Sequence, residues 1–203
     1  MSDFDLKART WDSNPMNAKR SSAIAENMIR RLPLNDKMVA LDFGAGTGIL
    51  SFMLADRLKS ITMMDTSREM VNVMQEKVQD SGVKNLSPVF FNLVEKEYGQ
   101  EKFDLIYSQL VLHHIDDIDS LLNRFGKMIN IGGFVAIADL YTENGSFHGE
   151  GFVGHNGFDE KELTQKLINA GFSNIDFETC FDVEKMTADG LKNFPVFVLI
   201  ASK

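Results

Sequence analysis

The sequence predicts a doubly wound α/β fold, a largely parallel sheet with helices on both faces, and three observations carry the prediction. Short apolar runs alternate with amphipathic stretches from the first helix to "FVAIADLY". The run "MVALDF" lacks polar alternation, as suits a strand buried on both faces of a parallel sheet. The chain finishes on two adjacent strand-like runs, "NIDFETCFDVEK" and "FPVFVLIASK", which put an antiparallel pair at one edge.

Taken in order, a first helix is expected over residues 17–31, where Ile24, Met28 and Leu32 recur beside Ala25 and Ile29 and Pro33 stops the pattern. After the strand "MVALDF", a helix from about Thr47 sets Leu50, Met53, Leu54 and Leu58 on one stripe. "SITMM" reads as a strand ending at Asp65. Thr66 and Glu69 have capping-box spacing for the next helix, continued by Met70, Met74 and Val78 and closed by Ser81 and Gly82. "LSPVFF" and "FDLIYS" read as strands separated by the polar "EKEYGQEK". Ile118, Leu121, Leu122, Phe125, Met128 and Ile129 form an amphipathic helix closed by the Gly132–Gly133 turn, and "FVAIADLY" follows as a strand. Asp159 and Glu162 make a second capping box, with Phe158 and Leu163 as its hydrophobic staple and Gly171 ending the helix.

Composition narrows the partners. With 29 Asp and Glu against 21 Lys and Arg, the net charge is −8, so the surface repels a phosphate backbone and nucleic acid is not an expected partner. The basic cluster Lys19, Arg20, Arg30 and Arg31 reads as a solvated helix face. "MSDFDLKARTWD" is no secretory signal, and no apolar run is long enough to span a bilayer, so a cytosolic protein without a membrane partner is expected. The single cysteine, Cys180, cannot make an internal disulfide and reads as a half-buried strand residue.

In an open parallel sheet, ligands bind beyond the carboxyl ends of the strands. Gly44, Gly46 and Gly48 lie there, between the first strand and its helix, where missing side chains let the backbone turn sharply and approach a ligand. A dinucleotide fingerprint, G-x-G-x-x-G, would need glycine at Ile49, which argues against NAD. Asp42, two residues before Gly44, would repel a pyrophosphate and attract an ammonium or sulfonium. Asp65 stands where ribose hydroxyls are bound. The implied ligand is an adenosine nucleoside carrying positive charge.

In this order and spacing, "VALDFGAGTG", "MMDTSREMV", "FDLIYSQLVLHHIDD" and "INIGGFVAIADLY" resemble the small-molecule branch of the class I S-adenosylmethionine-dependent methyltransferases, over residues 38–141. The resemblance implies a seven-stranded sheet of order 3-2-1-4-5-7-6 with an antiparallel last strand. It implies S-adenosylmethionine as cofactor, with Asp42 and the backbone of Gly44, Ala45, Gly46 and Gly48 at its methionine end and Asp65 at its ribose. By the same resemblance, Thr66 and Met70 line the adenine, Asn92 and Leu93 meet its edge, and Ser108 and Gln109 face the methionine carboxylate or the sulfonium. Many relatives carry Asp where Asn92 stands. One domain over 1–203 is expected: an N-terminal cap over 1–33, the cofactor core over 38–141, a lid over 143–157, and a helix with a strand pair over 158–203.

Methyl transfer from a sulfonium is an in-line displacement with a good leaving group already in place, so a protein mainly aligns and desolvates the acceptor. A base helps a hydroxyl, thiol or enolisable carbon by about 10²–10⁴. Four histidines titrate in the useful range, and the pair His113 and His114 follows the fourth strand. His114, with His113 beside it, is read as base or substrate ligand, against the alternative of a turn histidine bonded to backbone or Asp116. The loop "ENGSFHGEGFVGHNG", carrying His148 and His155, reads as a substrate lid, and Phe4 and Trp11 could fold over the same pocket. His148, Glu150 and His155 are irregularly spaced, so no metal is expected. After the fourth strand "SQLV" replaces the Asn/Asp-Pro-Pro-aromatic pattern of base amino-methylating enzymes, which leaves a small molecule as the acceptor. The competing readings are a non-catalytic cofactor-binding regulator and a nicotinamide-dependent oxidoreductase.

Overall fold

The apolar run Val39–Phe43 forms β1 and pairs in parallel with β2 (Ser60–Asp65) on one side and β4 (Phe103–Gln109) on the other. β3 (Leu86–Phe90) extends the sheet beyond β2, and β5 (Ile129–Leu140) lies beside β4, both parallel. β7 (Gly190–Ser202) runs antiparallel to β5, and β6 (Ser173–Thr187) completes the order 3-2-1-4-5-7-6. This computed structural model describes residues 3–99 and 101–203; Met1, Ser2 and Gln100 lie outside the described residues, so the "EKEYGQEK" connector is seen on either side of Gln100 only.

Side-chain alternation along buried strands creates two cores. Ala40, Ile61, Met63, Leu105, Tyr107 and Ala138 face one side, covered by α2 (Pro15–Arg31), α3 (Ile49–Leu54) and α4 (Arg68–Ser81). Leu41, Phe43, Met64, Ile106 and Ile137 face the other, covered by α5 (Ile118–Met128) and α6 (Glu160–Asn169). Helix α5 buries Ile118, Leu121, Leu122, Phe125 and Met128, each worth about 1.5–3 kcal/mol. The expected alternation and antiparallel edge are both present. Among the described residues, no helix is long and apolar enough to cross a membrane.

Several local expectations are corrected. The first helix begins at Pro15, with Asn14 accepting from the Met16 N–H, and is preceded by α1 (Asp3–Lys7) and a 3₁₀ turn over Ala8–Ser13. The helix after the glycines starts at Ile49 and has only six residues before a 3₁₀ turn at Ala55–Arg57. That change of rotation keeps Leu50, Leu54 and Leu58 buried but turns Met53 outward, 39% exposed. Ser67, not Thr66, caps α4: Asp65 Oδ1 accepts the Ser67 N–H at 2.8 Å, which completes the turn one residue later, and Ser67 Oγ then accepts the Met70 N–H. Helix α5 stops at Met128 rather than at the glycines, because Ile129 already pairs with Phe103. Gly132 and Gly133 sit in the irregular start of β5; a Cβ on Gly133 would lie 2.9 Å from the Asp104 carbonyl. The last two strands run on to Thr187 and from Gly190, a longer hairpin than expected.

Of the basic cluster, Lys19 and Arg30 are exposed as expected, but Arg20 and Arg31 are not solvated. Arg20 is buried and bonds Asn17 within the helix, whereas Arg31 bonds Asn27, the Val198 carbonyl and Asp176, so α2 meets β6 and β7 through the Arg31 guanidinium. Cys180 is half-buried in β6, and burial pushes its thiol up to about 12.

Candidate active site

The carboxyl ends of β1, β2 and β4 converge on the glycine turn. Gly44, Gly46 and Gly48 have φ of 70°, 58° and 80°, a region side chains disfavour. Gly44 and Ala45 N–H both donate to the Met64 carbonyl at 2.9 Å, which folds the turn back over β2. A Cβ on Gly44 would meet Val111 Cγ2 at 2.5 Å, whereas one on Gly46 would meet nothing within 4 Å. Gly44 is therefore needed for packing, and Gly46 borders open space.

Asp65 Oδ2 accepts the Gly46 N–H at 2.8 Å while Oδ1 takes that of Ser67. Burial raises its pKa, opposed by these backbone donors. The engaged Gly46 amide and the brevity of α3 leave little of the donor array a diphosphate would need.

Asp42 lies beneath the turn rather than at its open side. It is 2% exposed, accepts from Ser51 Oγ at 2.6 Å, and Ser51 Oγ meets the Tyr107 hydroxyl at 2.6 Å. Burial pushes its carboxyl up to about 7, against the Ser51 hydrogen bond and with help from Asp65. Burial thus disfavours the negative charge expected at the turn. Neither Ser51 nor Tyr107 was singled out by spacing; a hydroxyl one turn into the helix has no separate sequence signal.

Thr66 is exposed and Met70 is buried under the Ser67 cap. Asn92 Oδ1 accepts from the Val94 and Glu95 N–H groups and so closes the turn after β3, while the Leu93 side chain is wholly buried in the second core. Any contact of Leu93 with a ligand is therefore through its backbone. At the end of β4, Ser108 Oγ and Gln109 Oε1 are buried without a hydrogen-bond partner, a costly state for polar atoms that a ligand could relieve. Leu110 follows with φ 51°, strain of about 1–2 kcal/mol for a side-chain-bearing residue.

The N-terminal segment spans this edge. Asp12 accepts from Thr47 Oγ1 at 2.5 Å and from Lys77 Nζ, Asp5 accepts from Ser67 Oγ at 2.6 Å, and the Phe4 ring sits 5.4 Å from that of His114. Trp11 packs 6.3 Å from Phe4.

Beyond β4, His113 is buried and Asp139 Oδ1 accepts from its Nδ1 at 2.6 Å, fixing the ring and leaving Nε2 as the basic nitrogen. His114 lies 4.2 Å from His113 ring to ring, and His148, brought in by the loop, lies 5.0 Å from His113 and stacks on Phe152 at 3.8 Å. Burial and the neighbouring His113 pull His114 and His148 down to about 4. His155 does not join them: its Nε2 meets the Ile115 carbonyl at 2.9 Å. Glu150 is exposed. Asp139 and Arg20 were missed by sequence reasoning. Asp139 is the one charged residue in the apolar run "FVAIADLY", a signal that was available. Arg20, its pKa lowered to about 10 by burial against the pull of Asp139, lies among basic neighbours and carries no such mark.

A seven-stranded sheet of this order, a glycine turn tied to an acidic strand end, and a polar group at the end of β4 define the class I methyltransferase architecture. A family model described as a methyltransferase domain matches residues 41–135. An uncharacterized methyltransferase of Schizosaccharomyces pombe is 28% identical over 155 residues, covering 68% of this chain and 55% of that one. Among solved structures, a chain of the complex between the Trm112 methyltransferase activator and a methyltransferase of Haloferax volcanii has a TM-score of 0.79 at 17% identity, covering 100% of this chain and 98% of that one. Haemonchus contortus phosphoethanolamine N-methyltransferase 2, in complex with S-adenosyl-L-methionine, has a TM-score of 0.71 at 18% identity, covering 91% and 52%. Over residues 41–135 the chain thus matches a methyltransferase domain, set on the sheet order of the class I methyltransferase fold. It spans little more than half the length of the first curated relatives it matches.

Proposed function

We propose that this protein uses S-adenosylmethionine to methylate a small molecule. The observation that carries the reading is the pair of buried, unpartnered atoms Ser108 Oγ and Gln109 Oε1 beside a glycine turn whose middle residue faces open space. Both fit a polar, cationic nucleoside better than a diphosphate. Asp65 would hold the ribose hydroxyls, Gly46 would admit the ligand against the backbone, and Ser108 and Gln109 would meet its amino-acid end. When bound, the cofactor supplies an electrophilic methyl group on a sulfonium.

The chain's own part is alignment and exclusion of water. Asp12 on Thr47, Asp5 on Ser67 and Phe4 against His114 make the N-terminal segment a cover for the cofactor side. His113, His114 and His148 line the acceptor side, with Asp139 setting the His113 ring and Phe152 backing His148. The imidazole nitrogens there bind an acceptor's hydroxyl, thiol or amine and orient its lone pair in line. In-line positioning of this kind supplies on the order of 7–11 kcal/mol of barrier reduction. The net charge of −8 favours a small acceptor over nucleic acid. Incubation with methyl-labelled S-adenosylmethionine and a small-molecule extract, followed by mass spectrometry, tests the reading. A labelled product should appear in the low-mass fraction, and label confined to macromolecules would refute the acceptor class.

A further inference from the structure

We propose that His113, His114 and His148 form a binding site for a divalent transition-metal ion of the zinc class. One ligating nitrogen from each ring lies within 4.8 Å of the other two. Tetrahedral bonds of about 2.0–2.1 Å set nitrogens roughly 3.4 Å apart, so small rotations of the rings close the set. Imidazole suits zinc, cobalt, nickel and iron, whereas magnesium and calcium seek oxygen.

Three further features distinguish this trio from a chance cluster. Asp139, wholly buried, holds His113 through Nδ1 at 2.6 Å, the carboxylate–histidine arrangement that orients a ligating imidazole and raises its basicity. His148 Nε2 is buried with no hydrogen-bond partner, so a coordinate bond would satisfy an otherwise costly atom. His155, the remaining histidine, spends its Nε2 on the Ile115 carbonyl and stays out. His113 and His114 belong to one short turn and are fixed together, while His148 comes from the loop at 143–157; binding the ion would pin that loop over the acceptor side. Sequence spacing could not show this, because it grouped His148 with Glu150 and His155.

Three protein ligands leave a coordination position open. A hydroxyl or thiol acceptor can occupy it, losing its O–H or S–H proton to solvent as the ion lowers its pKa. The oxygen or sulfur lone pair would then form the new bond to the methyl carbon while the carbon–sulfur bond breaks, its electron pair staying on the sulfur, which would leave as a neutral thioether. This role rests on the methyltransferase reading; ion binding itself does not.

The test uses the full chain, purified without a histidine tag, stripped with a chelator and titrated with Co²⁺ alone and then Zn²⁺ alone. One equivalent of Co²⁺ should give visible ligand-field bands that Zn²⁺ abolishes. His114→Gln and His148→Gln should each weaken Zn²⁺ by more than the roughly 10–100-fold expected for Asp139→Asn, with His155→Gln unchanged and circular dichroism verifying the fold of each variant. Failure to take up either ion, or uptake undiminished in both His114→Gln and His148→Gln, overturns the proposal. Calorimetry with S-adenosylmethionine on the same samples separates the two claims: cofactor binding without ion uptake defeats only the metal site, and ion uptake without cofactor binding defeats only the methyltransferase reading.

Discussion

Asp65 and Gly46 are joined by a 2.8 Å hydrogen bond from the glycine N–H to carboxylate Oδ2, which ties the end of β2 to the middle of the glycine turn. Because Oδ1 also holds the Ser67 N–H, one side chain sets both the turn and the start of α4. Asp65→Ala should therefore leave two partly buried amides unpartnered, at about 1–3 kcal/mol each, and lower the unfolding midpoint. Asp65→Asn keeps an acceptor for one of them and should recover part of that loss. Both variants should weaken S-adenosylmethionine at least about tenfold in calorimetry, since the carboxylate proposed to hold the ribose is gone.

Gly44 and Gly46 should respond differently to alanine. At Gly44 the new Cβ would sit 2.5 Å from Val111 Cγ2, so Gly44→Ala should cost about 1–3 kcal/mol of stability through overpacking, besides the strain of φ 70°. At Gly46 there is nothing within 4 Å, so the cost should be limited to about 1–2 kcal/mol of backbone strain. Cofactor affinity should nevertheless fall more for Gly46→Ala than its stability does. Chemical denaturation paired with cofactor titration distinguishes them.

Asp42 should make stability and cofactor binding depend on pH. Its folded pKa, near 7 through burial, lies above the ordinary 3.8, so its contribution to stability is full below 3.8 and is lost as pH rises through 7. Asp42→Asn should be flatter than the parent between those values, by an amount on the order of a few kcal/mol. A cationic ligand nearby would favour the ionised form. Binding of S-adenosylmethionine at pH 6 to 7 should then release a proton, measured by calorimetry in buffers of different ionisation enthalpy; in Asp42→Asn the release should vanish.

The N-terminal segment, proposed to cover the cofactor side, should loosen when its anchor is cut. Asp12→Ala removes the partner of Thr47, a residue 1% exposed, and of Lys77. Trp11 should become more accessible to acrylamide quenching, and S-adenosylmethionine should protect it less. Unchanged quenching would separate the segment from the site.

What could be seen in advance follows physical period and local chemistry. β1, the glycine turn and Asp65 were legible because a run buried on both faces, a break in side chains and a strand-end carboxylate are all local signals. Helix α6 was legible to its cap, since Asp159 accepts from both Lys161 and Glu162 as the spacing implied. Ser67 displaced Thr66 as a cap because Asp65 turns the chain first, a competition between neighbouring hydrogen bonds that spacing does not rank. Arg20 looked solvated because charge alone does not say which face a helix buries; Asp139 and the sheet decide that. The histidines were visible one by one, but the grouping of His148 with His113 and His114 depends on how a fifteen-residue loop, "ENGSFHGEGFVGHNG", folds back, and no periodicity records that.

The most direct measurement is isothermal calorimetry on protein stripped of bound metabolites, comparing S-adenosylmethionine with NAD. The account predicts one-site heat with S-adenosylmethionine, reduced in Asp65→Ala and Gly46→Ala, and none with NAD. Clear uptake of NAD with no heat from S-adenosylmethionine would contradict it.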